Sequence, residues 1–310
     1  MTKSTEDQIR ELLARGVNTS EIGRMLAGSD GRRPETIARQ ALRIRNKILK
    51  ESIQTREREK FAIRENSTLE EIPEGETRVL CISDLHSPAI IDGALEHCLE
   101  LYSRWKCNAV VVLGDVFDLH RLGRWDHDPE TPSISDELDE GVKQLEGFYY
   151  HFPNAKVTIG NHDDRTYKTM FKAGLPERCR PGFGTLYESP SGWHYDDRHV
   201  IDGVTYTHGS NMCAGPVAQA ARRANTLCGP LVQAHHHFGA GVQYATPRDY
   251  SRPIFGASMG CLCDGQHRYF GYASGRDKDP SIGAGVVIAG AEAHFEPLFR
   301  GYTQGVEIGG

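Results

Sequence analysis

The chain has 310 residues, of which 38% are hydrophobic and 25% charged, and its formal net charge is -6. This composition suits a globular protein, and no apolar run is long enough to span a bilayer. The first residues lack the apolar core of a signal peptide, and the eight cysteines do not form a disulfide framework. We therefore expect a cytoplasmic protein with reduced thiols, no membrane contact and about two domains.

The first 50 residues carry three helical patterns. Apolar residues recur at helical spacing up to Gly16, and Asn18 followed by Glu21 is typical of a capping box that opens a second helix. A loop is predicted over 28–34, and Pro34 suits the first turn of a third helix. This third segment is basic, because seven Lys and Arg residues between positions 31 and 50 are opposed only by Glu35.

Three short helices with a basic third one resemble a helix-turn-helix module. The resemblance implies contact with DNA or RNA through Arg39 and Arg43, which lie four residues apart and therefore share one helix face. A basic segment attached to an acidic body is consistent with a polyanionic partner. The alternative is a small helical bundle that serves assembly or docking.

The charge pattern divides the chain into three parts. Residues 51–77 are highly charged and then rich in Glu and Pro, as in a solvated helix that runs into a linker. We therefore predict a helix-turn-helix-like module at 1–50, a charged linker at 51–77 and a catalytic domain at 78–310.

After position 77, short β-branched apolar runs alternate with helix-like segments, which predicts an α/β body with buried sheets. The helical segments lie at 93–106 and 134–150, and Gly203 after Asp202 indicates a hairpin turn. The apolar runs are RVLCIS, AVVVLG, KVTIG, VTYTHG and LVQAH.

Each of these five runs ends in polar residues. They are Asp84 and His86, then Asp115 and Asp118, then Asn161, His162 and Asp163, then His208, and finally His235 and His237. A single histidine at a strand end is more often structural. Five such endings in order indicate a shared site, because ligands bind at the carboxyl ends of strands in α/β sheets.

In these motifs the chain resembles the calcineurin-like metallophosphoesterases, whose pattern is D-x-H, G-D-x-x-D, G-N-H-(D/E), H and G-H-x-H. The resemblance spans residues 78–237 and departs from the pattern at Ala234, which replaces a glycine that carries no ligand. It implies a four-layered α/β/β/α sandwich. It also implies a hydrolase that acts on phosphate ester bonds with the help of bound metal ions.

The resemblance implies two divalent metal ions held by seven side chains. One ion would take Asp84, His86 and His237, the other would take Asn161, His208 and His235, and Asp115 would bridge them. Oxygen and imidazole ligands suit borderline ions, so Mn is the first expectation, with Fe, Zn, Ni or Mg as alternatives. Alternation along a strand would place His235 and His237 on one face and turn His236 away as a structural residue.

The remaining site residues are implied to assist the chemistry. His162 would stabilise developing charge or protonate the leaving oxygen, and Asp118 would orient it. Arg121 and Arg165 follow the second and third motifs and would bind phosphate oxygens, although surface arginines are often simply solvated. Tyr167 could stack on a base or serve only packing.

Two functions fit these residues. The first is a phosphodiesterase or nuclease that acts on nucleic acid and is guided by the N-terminal module, and this is the preferred interpretation. The alternative is a phosphatase of a small molecule or a phosphoprotein, with the N-terminal helices serving assembly. A metal-bound scaffold without activity is disfavoured because the ligand set and His162 are complete. The sequence leaves the oligomeric state open.

Overall fold

The computed structural model describes residues 4–15, 17–30, 33–45, 47, 76–123, 130–209, 215–245, 254–273 and 279–298. The chain divides into two compact units, Met1–Glu70 and Glu71–Gly310. Most of the predicted linker at 51–77 lies outside the described residues. Among the described helices, none has both the length and the apolar character needed to cross a membrane.

The first unit contains three helices: α1 (Thr5–Ala14), α2 (Thr19–Asp30) and α3 (34–45). The predicted cap at Asn18 is present, since its side-chain oxygen accepts a hydrogen bond from the Glu21 N–H at 2.8 Å. The apolar stripes meet in a small core of Ile9, Ile22, Ile37, Ala41 and Ile44.

One boundary in this unit differs from the prediction. Helix α2 continues through the GSD segment to Asp30, so the predicted loop over 28–34 is shorter. A glycine inside a helix costs only about 1 kcal/mol, which is too little to end a helix whose apolar face is buried. Arg39 and Arg43 both lie on α3 and are exposed.

The second unit is built on two sheets. The first contains β1 (Arg78–Ile82), β2 (Ala109–Val112), β3 (Asn154–Thr158), β4 (Gly192–Asp196), β10 (Gly283–Ile288) and β11 (Glu292–Pro297), in the order β11-β10-β1-β2-β3-β4. Strands β1 to β4 are parallel, and β10 and β11 add an antiparallel edge.

The second sheet contains β5 (Arg198–Ile201), β6 (Val204–Thr207), β7 (Leu231–Gln233), β8 (Gly241–Ala245) and β9 (Ile254–Ser258), in the order β5-β6-β7-β9-β8. Strands β6, β7 and β9 run parallel, while β5 and β8 are antiparallel edges. The predicted hairpin turn joins β5 and β6, where Asp202 and Gly203 have φ values of 50° and 72°. Both lie in the left-handed region that the tightest hairpin turns require.

Five helices accompany the sheets: α4 (Ala94–Arg104), α5 (Ile134–His151), α6 (Asp164–Lys172), α7 (Phe183–Leu186) and α8 (Pro216–Leu227). Short 3-10 turns occur at His120–Leu122, Glu177–Cys179 and Arg268–Ala273. The predicted helices at 93–106 and 134–150 correspond to α4 and α5.

The packing confirms the predicted four-layered α/β/β/α sandwich. Val79 and Val111 of the first sheet share a buried core with Val232 and Phe255 of the second sheet. The opposite face of the first sheet is covered by helices that include α4 and α5, whose buried side chains join a separate core. Helix α8 covers the second sheet and approaches closely at Gly256, where a Cβ would lie 2.1 Å from a backbone nitrogen.

Candidate metal centre

The sheet topology collects the polar strand ends at one edge of the sandwich. Because β1, β2 and β3 are parallel neighbours, the loops that follow them carry the D-x-H, G-D-x-x-D and G-N-H-D motifs side by side. Strands β6 and β7 are parallel neighbours in the second sheet and carry the remaining histidines. Side chains from five strand ends therefore converge, as the sequence predicted.

The backbone of these loops is strained at four of the candidate ligands. Asp84, His86, Asp115 and His235 have φ values of 47°, 46°, 47° and 70°. Positive φ is uncommon outside glycine and costs on the order of 1–3 kcal/mol for each residue. The first two motifs are fastened together by a hydrogen bond from the His86 N–H to the Asp115 carbonyl at 2.9 Å.

The first cluster consists of Asp84, His86 and His237. The Nε2 atoms of the two histidines lie 3.1 Å apart, and Asp84 Oδ1 lies 3.4 Å from His237 Nε2. Asp84 and His86 are buried. Asp84 Oδ1 accepts no hydrogen bond from any residue that the structure describes. A buried carboxylate oxygen in this condition is costly unless a cation or proton satisfies it.

The second cluster gathers around Nε2 of His208. This nitrogen lies 3.2 Å from Asp115 Oδ2, 3.1 Å from Asn161 Oδ1 and 3.2 Å from His235 Nδ1. The other ring nitrogen, Nδ1, donates to the Leu113 carbonyl at 2.7 Å. That hydrogen bond orients the ring, so that Nε2 is the nitrogen directed at the cluster.

Asp115 lies between the two clusters. Its Oδ2 atom lies 3.2 Å from His208 Nε2 and 3.6 Å from His86 Nε2. Its Oδ1 atom accepts a hydrogen bond from the His162 N–H at 2.7 Å. Gly160 makes this arrangement possible, because a Cβ at that position would lie 2.1 Å from Asp115 Oδ1.

These donors fit divalent metal ions. Three overlapping groups, Asp84–His86–His237, His86–Asp115–His162 and Asp115–His208–His235, each bring their donor atoms within 4.8 Å of one another. Two ring lone pairs cannot face each other at 3.1 Å without a proton or a cation between them. Carboxylate oxygen, amide oxygen and imidazole nitrogen together suit Mn, Fe, Zn and similar ions.

Asp118 orients two histidines at once. Its Oδ1 atom lies 2.8 Å from His86 Nδ1 and 3.0 Å from His162 Nδ1. Burial raises the pKa of Asp118, but the neighbouring rings of His120, His162 and His86 outweigh this and hold the pKa well below its usual range. Burial lowers the pKa of His162, and the nearby Asp115 and Asp118 oppose this shift only in part.

The two candidate phosphate-binding arginines differ in their surroundings. Arg165 lies at the site, where Nη2 is 2.9 Å from His162 Nε2 and Nη1 donates to the Asp118 carbonyl at 2.7 Å. Arg121 instead donates to the backbone carbonyls of Thr131 and Pro132 before α5. Its guanidinium group is therefore engaged in holding that loop in place.

The strand-face argument for the three adjacent histidines is wrong, although two of them do face the clusters. Strand β7 ends at Gln233, and the positive φ of His235 breaks the alternation of side chains. His237 reaches Asp84 and His86, while the ring of His236 contacts those of His235 and Phe238. Loop geometry, not strand pleating, therefore separates His236 from its neighbours.

Asp163 is an important site residue to which the sequence motifs assigned no role. It is buried, and Oδ1 accepts hydrogen bonds from the Val116 N–H and the Tyr187 hydroxyl, both at 3.1 Å. Oδ2 accepts from the Gly160 N–H at 2.9 Å, so one carboxylate ties the second motif to the third. Burial and the nearby Asp115 raise the pKa of Asp163 to about 6. The only sequence feature that could have marked Asp163 is its place in the G-N-H-D motif, and Gly, Asn and Asp in that motif are also typical of an ordinary turn.

Three further residues line or support the site without any motif to mark them. Phe270 has its ring centroid 5.3 Å from that of His86, and Cys263 Sγ lies 3.6 Å from His237 Nδ1. Glu137 is buried and accepts a hydrogen bond from the His120 N–H at 3.0 Å. Burial raises the pKa of Glu137 to about 7.

The two-sheet fold and the donors at its strand ends define a metal-dependent hydrolase of phosphate esters. Residues 77–225 match the model of the calcineurin-like phosphoesterase family, so the chain carries a calcineurin-like phosphoesterase domain. The comparison with curated proteins finds no match.

Several solved structures are similar in fold. The phosphoesterase YfcE from E. coli is 17% identical, with 68% of this chain and 87% of that chain covered and a TM-score of 0.34. Vacuolar protein sorting 29 from Cryptosporidium parvum is 14% identical, with coverages of 69% and 85% and a TM-score of 0.38. The nuclease MPE from Pseudomonas putida is 14% identical, with coverages of 69% and 85% and a TM-score of 0.29.

Proposed function

We propose that the protein is a phosphodiesterase that acts on nucleic acid through a dinuclear metal centre. The observation that carries the dinuclear assignment is the position of Asp115 Oδ2, which lies 3.2 Å from a nitrogen of one cluster and 3.6 Å from a nitrogen of the other. In this proposal Asp84, His86 and His237 would hold one ion, Asn161, His208 and His235 would hold the other, and Asp115 would contribute to both sites. Mn²⁺ is the first expectation for the metal.

His162 is proposed to supply the proton for the leaving oxygen. When bound, two divalent ions would polarise the phosphoryl group and activate a water for attack. Asp118 holds Nδ1 of His162, so Nε2 is the atom left to face a substrate. In the present arrangement Arg165 donates to Nε2. If Arg165 moved to a phosphate oxygen, Nε2 could take up a proton and pass it to the leaving group.

Support for a nucleic-acid substrate comes from the first unit. Arg39 and Arg43 lie on the exposed part of α3, four residues apart, and no acidic residue separates them. Basic side chains on one helix face suit contact with a phosphate backbone. A cytoplasmic enzyme with such a module would hold its substrate by the backbone and cleave one of its diester bonds.

A phosphatase of a small molecule or phosphoprotein is the second candidate. The observation in its favour is the acidic start of α5, where Asp136, Asp139 and Glu140 are exposed. Such charges would disfavour a long polyanion that approached from this side. The N-terminal helices would then serve assembly.

The two functions separate in a substrate panel. The full-length protein with Mn²⁺ would be assayed on bis-aryl and mono-aryl phosphate esters and on single- and double-stranded DNA. The nucleic-acid phosphodiesterase predicts faster hydrolysis of the bis-aryl ester and cleavage of DNA, both abolished by a chelator. Preference for the mono-aryl ester without any DNA cleavage would favour the phosphatase instead.

A further inference from the structure

A basic and aromatic surface extends from the candidate metal centre along α6 and into the 3-10 turn that follows it. We define the α6 surface as Arg165, Lys168, Phe171, Lys172, Arg178 and Arg180. Phe171 is 72% exposed, which is the highest value among the large hydrophobic side chains in the described part of the chain. A large exposed ring among cations is unusual for a side chain that serves only packing.

The α6 surface begins at the site itself. Helix α6 starts at Asp164, two residues after His162, and Arg165 Nη2 lies 2.9 Å from His162 Nε2. A helix rises about 1.5 Å per residue, so Phe171 lies roughly 9 Å along the axis from Arg165. A ligand that lies along α6 therefore reaches the reacting atoms at one end.

The basic residues of α6 share one face. Arg165, Lys168 and Lys172 are spaced by three and four residues, which places them in one row. Lys168 pairs with Asp164 at 2.8 Å and is 61% exposed. Five basic residues between positions 165 and 180 are opposed only by Asp164 beside them and Glu177, in a chain whose net charge is -6.

The ring of Phe171 is exposed and available for stacking, whereas the ring of Tyr167 is already packed against the protein. The Tyr167 ring stacks on Phe183 with centroids 4.4 Å apart, and its hydroxyl donates to the Pro181 carbonyl at 2.7 Å. Tyr167 is therefore a packing residue. The guanidinium carbon of Arg180 lies 5.9 Å from the ring centroids of both Tyr167 and Phe171, which steadies the exposed ring beside a cation.

We propose that the α6 surface binds single-stranded nucleic acid, with an unpaired base stacked on Phe171 and phosphates at Lys172 and Arg178. This inference rests on the proposed phosphodiesterase function. An acidic peptide would use the cations but would leave the flat ring unused, whereas single strands use both. The strand would run along α6 and deliver a phosphodiester to Arg165 and the metal centre.

The test measures binding without turnover. Full-length protein treated with a chelator would be titrated against a labelled oligothymidylate and a matched duplex, with fluorescence anisotropy as the readout. Phe171→Ala should weaken single-strand binding about fivefold to a hundredfold. This is the loss in affinity expected when one base can no longer stack on an aromatic ring. Duplex binding should change little, since paired bases are not available to the ring.

Variants of the charged residues should change the salt dependence of binding. Lys172→Glu and Arg178→Glu should each lower the salt dependence of single-strand binding, by a log–log slope of about 0.7 for each phosphate that is no longer neutralised. Leu227→Ala and Arg222→Glu are matched controls, because both residues are exposed or partly exposed on α8 and lie outside the α6 surface. Both control variants should bind as the wild type does.

The binding and hydrolysis results together distinguish failure of the α6 surface from failure of the proposed phosphodiesterase function. Wild-type affinity in Phe171→Ala, equal losses for single strand and duplex, or no binding by the wild type would each overturn the α6 surface. DNA cleavage by wild-type protein, combined with unchanged binding in all α6 variants, would overturn the α6 surface alone. Selective loss of single-strand binding without any diester hydrolysis by the wild type would support the surface and contradict the phosphodiesterase.

Discussion

The Nε2 atoms of His86 and His237 lie 3.1 Å apart, and a carboxylate oxygen of Asp84 lies 3.4 Å from the second of them. These residues come from the loops after β1 and β7, so each sheet contributes to the same small group of donors. Asp115 then connects this group to His208. The two clusters are therefore coupled through one carboxylate, and this coupling determines how variants should behave.

Asp115→Asn should reduce the content of both proposed metal ions at once, because the neutral amide removes the shared negative charge. His236→Ala is the matched control, since its ring contacts those of His235 and Phe238. Elemental analysis of the purified variants measures the result. Equal metal loss in both variants would contradict the assignment of Asp115 as the bridge.

His162→Ala should keep the metal content and lower the turnover of poor leaving groups by about 10²–10⁴-fold, the range for general acid catalysis. The loss should shrink for aryl esters with good leaving groups, which need no proton. The measurement is kcat for a series of aryl esters of increasing leaving-group pKa. An equal loss across the series would mean that His162 has another role.

The proposed nucleic-acid module predicts a salt effect. Arg39→Ala and Arg43→Ala together should weaken binding to duplex DNA and flatten its salt dependence, by a slope of roughly 0.9 for each phosphate that is no longer neutralised. Hydrolysis of a small aryl ester should remain at the wild-type rate. Wild-type protein without any salt-dependent binding to DNA or RNA would remove the main support for the nuclease and favour the phosphatase.

A related expectation concerns the two units. A truncated chain that begins at Glu71 retains the whole of the second unit and all the proposed metal ligands. It should stay folded and hydrolyse a small aryl ester about as fast as the full chain. Circular dichroism and the ester assay measure this, and loss of folding would show that the first unit is needed for stability.

Glu137 should make the stability of the protein depend on pH. Burial raises its pKa from 4.5 to about 7 in the folded state, so the protonated carboxyl favours folding. This contribution is present at low pH and is lost as the pH rises from 4.5 through about 7. Glu137→Gln keeps an oxygen that can accept from the His120 N–H and cannot ionise.

The variant should therefore gain stability relative to the wild type as the pH rises, by at most about 3 kcal/mol for a difference of this size. Urea unfolding of both proteins at about pH 3.5, 6 and 8, which brackets the two pKa values, measures this difference. A constant difference across this pH range would show that Glu137 has an ordinary pKa.

The sequence predicted the strands that carry the site because each is a short apolar run followed by polar residues of one chemical type. β1, β2, β3, β6 and β7 all lie where the apolar runs placed them. The predicted ligands also converge, since parallel strands bring their ends to one edge. The strand-face argument for the histidines failed because a positive φ at His235 cannot be read from its residue type.

Other parts of the site depend on tertiary contacts that carry no local pattern. Phe270 and Cys263 reach His86 and His237 from a segment beyond the last motif. Arg121 matched a phosphate-binding pattern but donates to carbonyls of a nearby loop. Asp163 had a turn-forming residue type, and only its burial shows that it ties two motifs together.

The dinuclear centre is tested most directly by titrating metal-free, full-length protein with Mn²⁺ while bound metal and hydrolysis of a bis-aryl phosphate ester are measured together. We expect two ions to bind per chain, with hydrolysis rising as the second ion binds, because the two clusters share Asp115. Full activity with one ion per chain, or hydrolysis by the metal-free protein, would contradict a dinuclear phosphodiesterase.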